Sequence, residues 1–105
     1  MANRTAGRIV YVDQFNADVT LASPGKDYII KKIVVLSAAD GDIFELENSR
    51  GDVLFHIVNT GNADTVECDF GEGFNFGCDG VYIDVSDCTG MAATNGTDAV
   101  WIYLE

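Results

Sequence analysis

The chain has 105 residues, 48% of them hydrophobic, with seventeen Asp or Glu against six Lys or Arg and a formal charge of −11. That length holds one domain with a single modest core, too small for a cofactor domain beside a substrate domain. The hydrophobic content is too high for a charge-driven disordered chain, and no apolar run approaches the roughly 20 residues of a membrane-spanning helix.

Residues 1–7 are polar and read as a short N-terminal arm. They lead into Ile9 to Val12 without the apolar stretch of a signal peptide, so no export is expected. From there turn residues recur at roughly the eight-to-twelve-residue spacing of all-β sandwiches and barrels. The pieces between them, rich in β-branched and aromatic residues, predict strands at Arg8–Phe15, Asp18–Leu21, Tyr28–Ser37, Asp42–Glu47, Asp52–Val58, Thr65–Phe70, Val81–Val85 and Ala99–Leu104. The expected fold is therefore all-β, a single jelly-roll-like β-sandwich of about eight strands over residues 1–105.

Local patterns support these strands. Pro24 sits in the Ser23-Pro24-Gly25 turn. Phe44 and Leu46 alternate with Glu45 and Glu47, and Asn48-Ser49-Arg50-Gly51 joins that strand to the next as a hairpin. Phe70 to Gly80 holds four glycines in eleven residues and reads as an irregular loop pinned by Phe74 and Phe76. In Val81 to Val85 the odd positions are aliphatic, which points Ile83 inward. Asp87 to Asp98 is small and polar, a long insertion before the final strand. In that strand Val100, Ile102 and Leu104 alternate with Trp101 and Tyr103, so both faces seek cover. Either the strand is central, or its aromatic face meets a partner.

The chain carries few groups suited to catalysis. Its one histidine, His56, lies in mid-strand between aliphatic neighbours, where a half-exposed sheet histidine is expected rather than a base. A metal-dependent cupin barrel needs several histidines. Cys68, Cys78 and Cys88 are isolated and odd in number, too few for structural zinc, and read as reduced thiols on successive strands. Calcium would have to be gathered from Asp40, Asp42, Asp64, Asp69, Asp84 or Asp87 without an EF-hand loop. Carboxylate pairs for glycoside hydrolysis lack a deep cleft in so small a domain. Arg50-Gly51-Asp52 spells an adhesion tripeptide, but a turn explains Gly51 there, and the sequons at Asn3 and Asn95 are idle without export. No catalytic residue, cofactor or metal is expected, and the chain is read as a non-enzyme.

Charge is unevenly placed. Residues 1–35 carry a net +2 through Arg4, Arg8, Lys26, Lys31 and Lys32, whereas residues 36–105 carry −13, with Arg50 the single cation. A segment of that charge repels polyanions, which argues against nucleic acid as a partner. The first third can instead meet an acidic surface while the remainder keeps the protein soluble.

The order Lys32-Ile33-Val34-Val35, Gly41-Asp42-Ile43-Phe44-Glu45-Leu46, Gly51-Asp52-Val53-Leu54-Phe55, Gly80-Val81-Tyr82-Ile83 and Val100-Trp101-Ile102-Tyr103-Leu104 resembles small β-sandwich proteins of tailed bacteriophages, the capsid decoration or cement proteins. The resemblance runs from Lys31 onward. It implies a jelly-roll-like fold, assembly in a reducing bacterial cytoplasm and residence on the outer surface of the virion head as a homo-oligomer, a trimer or dimer, bound to the major capsid protein. Candidate capsid contacts are the cations Arg4, Arg8, Lys31 and Lys32 and the aromatics Tyr11, Phe15, Tyr28, Trp101 and Tyr103, because Trp, Tyr and Arg dominate interface energetics. For each aromatic the alternative is burial in the domain's own core. A second reading, a receptor-binding or tail-fibre module, would recognise a host glycan through the loops Gly71–Gly80 and Asp87–Asp98.

Overall fold

The computed structural model describes residues 4–6, 8–37, 41–59, 64–88, 90–91 and 98–104. Most of these segments alternate apolar and polar side chains, and a period of two buries one face only when the segment is a strand. The strands are β1 (Arg4–Ala6), β2 (Ile9–Val12), β3 (Val19–Ala22), β4 (Ile29–Ser37), β5 (Ile43–Glu47), β6 (Val53–Val58), β7 (Asp64–Asn75), β8 (Val81–Ile83) and β9 (Ala99–Leu104), with a single 3₁₀ turn at Val85–Asp87. They form a five-stranded sheet of order β1-β2-β9-β4-β7 and a four-stranded sheet of order β3-β8-β5-β6. Every pairing is antiparallel. From β2 to β9 every connection except the β5–β6 hairpin passes from one sheet to the other, which makes the chain a jelly-roll sandwich.

The core lies between the sheets. Val10, Val12, Ile30, Ile33, Val35, Val100 and Ile102 face inward from the five-stranded sheet and meet Phe44, Leu46, Val81 and Ile83 of the other, closed at the ends by Phe15, Phe76, Cys88 and Met91. Burying each such aliphatic side chain contributes about 1.5–3 kcal/mol. Strand β4 could not alternate strictly, since Ile30-Lys31-Lys32-Ile33 would then bury a lysine. A bulge resolves this: Ile30 opposes Leu104 and Lys32 opposes Tyr103, so Lys31 is the extra residue and both lysines reach solvent.

Several expectations are corrected. Residues 4–6 of the supposed N-terminal arm are a strand paired to β2, Arg4 opposite Tyr11 and Ala6 opposite Ile9, which raises the strands from eight to nine. The first predicted strand stops at Val12 rather than Phe15. The glycine-rich stretch stays paired as β7 through Asn75, with a register shift after Asp69, Gly71 and Gly73 taking positive φ on the way. The predicted strand Val81–Val85 ends at Ile83, because Asp84 accepts a hydrogen bond from the Ser86 amide and starts the 3₁₀ turn. Of the cysteines only Cys68 is on a strand. Cys88 is buried beside the turn, Cys78 is exposed, and all three are free thiols. The insertion before β9 lies largely outside the described residues.

The predicted hairpin forms at Asn48–Asp52. The Asn48 side-chain oxygen accepts from the Arg50 and Asp52 amides, and Gly51 takes φ 81°. Arg50 pairs with Asp52 and Asp79, so two members of the adhesion tripeptide are bound to each other.

Candidate binding face

In β9 the inward residues Val100 and Ile102 are fully buried, so by alternation Trp101 and Tyr103 point to the opposite side of the sheet. The strand is central, between β2 and β4, and among the described residues no further layer covers its outer face. Register decides what stands beside the two rings. Tyr11 of β2 lies opposite Trp101 with ring centroids 5.2 Å apart, and Val34 of β4 flanks Trp101 on the other side. Ile9 and Lys32 flank Tyr103 in the same way, and the Lys32 ammonium sits 4.9 Å from its ring centroid. Such a cation–π contact contributes about 0.5–1 kcal/mol and fixes the charge at the rim of the aromatic stripe. Lys32 also approaches Glu67 at 3.9 Å, a long contact in water that adds little.

Four of the nine candidate contacts, Tyr11, Lys32, Trp101 and Tyr103, thus form one patch. Lys31, at the bulge, borders it and shares a shallow recess of ≈ 320 Å³ with Lys32, Asp69, Gly71, Tyr103 and Leu104. Strand register puts Arg4 opposite Tyr11, at the edge of the same sheet. Arg8 is exposed at the turn into β2, and its carbonyl accepts from the Leu104 amide. The remaining two belong elsewhere. Phe15 is buried edge-on against Phe44 at 6.4 Å, and Tyr28 is half-buried, its hydroxyl in the interior, where burial pushes its pKa up to about 12. Phe15 is core, and Tyr28 lines a separate recess with Leu21, Ala22 and Pro24, away from the Trp101 patch. Ile9, Val34 and Leu36 complete the patch and were not anticipated, although their alternation with buried neighbours is visible once β2 and β4 are placed.

The outer face of the four-stranded sheet has the opposite character. Glu45 and Glu47 project from β5, and the 3₁₀ turn brings Asp87 to them, so that one oxygen from each lies within 4.8 Å of the others. His56 of β6 stands opposite Glu45 and meets it at 2.8 Å, as a cross-strand pair rather than a catalytic base. Glu47 has its pKa raised to about 8, chiefly by the hydrogen bond with Asp87, then by burial and by Glu45. A proton on Glu47 can bridge it to Asp87, and three oxygens are half the complement of a calcium ion. Of the acids from which calcium would have to be gathered, only Asp87 joins this cluster among the described residues. Asp42 is buried against the Ser37 hydroxyl, Asp69 accepts from the Gly71 amide and Asp84 caps the turn, while Asp40 and the Asp64 side chain lie outside the described residues.

For the glycan reading, Phe76 is core and the Asn75 side-chain oxygen (Oδ1) accepts from the Gly77 amide, which leaves Phe74 as the exposed ring of that loop. Among the described residues no helix is long and apolar enough to cross a membrane. A scan of protein-family models, a search of curated proteins and a search of solved structures each returned no match to this chain.

Proposed function

We propose that this protein is a binding module, not a catalyst, that attaches by the outer face of its five-stranded sheet to the outer surface of a bacteriophage head and cements neighbouring subunits of the major capsid protein. The observation that carries the reading is the two-sidedness of the sandwich. One sheet face presents Tyr11, Trp101 and Tyr103 with cations at its margins, and the other carries the largely buried Glu45 and Glu47 beside the exposed Asp87. Large aromatic rings supply most binding energy at protein interfaces, and a cationic rim steers them toward an acidic surface. The acidic face then points to solvent and keeps the decorated particle from aggregating. Repetition over a symmetric shell multiplies a modest affinity, since many copies each bridging two subunits resist expansion together.

The test uses heads assembled without this protein, to which the purified chain is added while particle mass reports copies bound. Wild type should saturate the lattice. Tyr11→Ala with Trp101→Ala should weaken binding by about 30-fold or more, the effect of losing about 2 kcal/mol at a central anchor. Charge reversal at Arg4 and Arg8 should lower occupancy most at low salt. Full occupancy by the double variant overturns the assignment of the face. Failure of wild type to bind heads, together with binding to a glycan array, replaces the capsid reading with the tail-fibre one.

A further inference from the structure

Strand β6 ends the four-stranded sheet and β7 ends the five-stranded sheet, and the two edges lie on the same side of the sandwich, bridged by Phe55 and Phe70 at 6.2 Å. All three large hydrophobics exposed among the described residues are on these strands: Val53 at 55%, Val58 at 42% and Phe74 at 56%. Leu54, Phe55 and Ile57 are only partly covered. The outer edge of β6 has no partner strand among the described residues, so a row of backbone N–H and C=O groups is open along Val53-Leu54-Phe55-His56-Ile57-Val58.

Natural sheets guard such edges with charge, proline, bulges or brevity. The other three edges here follow that rule. Strand β7 carries Glu67, Asp69 and Glu72, β3 has four residues with a register shift and Pro24 close behind, and β1 has three residues. Strand β6 has six residues, no proline and no Asp, Glu, Lys or Arg, in a molecule of net charge −11. Along β6 itself two copies of so acidic a chain can approach without like charges facing each other, the acids of β7 standing on the neighbouring sheet.

We propose that this side is the contact between two copies of the chain, with β6 pairing antiparallel to β6 of the second copy about a two-fold axis. The four-stranded sheets then join into one of eight strands. The flanking apolar side chains, Val53, Val58 and Phe74 among them, are covered in the same step. A two-fold axis across an edge strand makes the self-pairing antiparallel and the interface isologous. Extents of 36 × 27 × 24 Å set the size of this side near the roughly 800 Å² that each partner contributes to a stable interface, so the apolar side chains flanking β6 must be buried along with its edge. The binding face around Trp101 stays open, because it lies on the other sheet's outer surface, and this pairing does not depend on the capsid reading.

Sedimentation equilibrium of the purified chain tests it. The 11.3 kDa protein should sediment at twice its mass at micromolar concentration. Val53→Lys with Val58→Lys should raise the dimer dissociation constant at least tenfold with the circular dichroism unchanged, since both positions are exposed. The two lysines lower the net charge, so overall repulsion between copies falls, and loss of the dimer reports like charges brought face to face across the β6 pair itself. Tyr11→Ala with Trp101→Ala should leave the dimer intact. In wild type the β6 amides should exchange more slowly as concentration rises, a readout that serves even where the lysine variant folds poorly. A monomer at 100 µM, a trimer, or a lysine variant that dimerises as wild type does would each overturn the proposal.

Discussion

Glu47 should make this protein less stable as pH rises through neutrality, and Glu47→Gln should remove that dependence. Its carboxyl is 9% exposed and is held beside Asp87 and Glu45, and its pKa rises from 4.5 to about 8. In the unfolded chain it titrates in the ordinary carboxylate range, so between the two values the folded state binds the extra proton. Its stabilising contribution is complete below the unfolded pKa and is lost as pH climbs through the folded one. The slope is at most about 1.4 kcal/mol per pH unit, and the whole shift corresponds to an upper bound of about 5 kcal/mol. Asp87 is open to solvent, so screening reduces this to on the order of 2–3 kcal/mol, still a large part of the 5–15 kcal/mol typical of a domain. Urea unfolding of both proteins at half-unit steps from pH 5 to 8 measures it. Titrating groups remote from this cluster are common to both and cancel in the difference. The variant, whose amide can donate to Asp87 as the protonated acid does, should match wild type near pH 5 and exceed it by about 2 kcal/mol at pH 8. A difference that does not change with pH, or a variant less stable at pH 8, would refute the shared-proton account.

Gly80→Ala should destabilise the fold by about 1–3 kcal/mol, because φ there is +86° and the added Cβ would lie 2.6 Å from the Tyr82 ring; thermal melting reads it. Ser37→Ala should cost about 1–3 kcal/mol by stripping the buried Asp42 of its hydroxyl donor, measured as a lower urea midpoint at unchanged m. Under native conditions a thiol reagent should label the exposed Cys78 first and Cys68 slowly. Cys88, buried and pushed up to about 11 chiefly by desolvation, should react only on unfolding, and equal rates for all three would contradict the packing around the 3₁₀ turn.

What was legible in the sequence is what local physics decides. The β5–β6 hairpin follows from alternation on both arms and from a turn whose Asn48 can accept two amides, with no help from the rest of the chain. The need of β9 for cover on both faces was readable for the same reason: its central place buries Val100 and Ile102 against the other sheet, and its Trp101 and Tyr103 face has no further layer over it among the described residues. Strand β1 was not readable, because Arg4-Thr5-Ala6 has no apolar alternation and exists as a strand only through β2. Val85 continues the alternation of β8 and yet leaves the sheet, since the Asp84 carboxylate captures the Ser86 amide. The roles of Phe15 and Tyr28 were hidden because both lie just outside strands, where periodicity says nothing about direction. Glu45 and Glu47, two apart on one strand, announce a shared face, but only the fold brings Asp87 to them.

Charge shows why linear asymmetry is an incomplete guide to orientation. The basic first third supplies β1 to β3 and, through Lys31 and Lys32, most of β4, and three of these four strands enter the five-stranded sheet. Jelly-roll winding then threads β7 and β9 from the acidic part of the chain into that sheet. Strand β9 brings rings and no charge through Leu104, while β7 sets Glu67 and Asp69 opposite Val34 and Lys32. The described cations therefore survive as a margin on the Arg8 and bulge sides of an aromatic stripe, with Arg4 at a register position opposite Tyr11, and are partly neutralised along β7. If the proposed capsid docking holds, an acidic partner would be met on the β1 side of the face, so reversal at Arg4 and Arg8 should reduce binding to heads more than reversal at Lys32, which already has Glu67 and Asp69 beside it on β7. Equal losses at the two places would mean that the partner covers the β7 side as well.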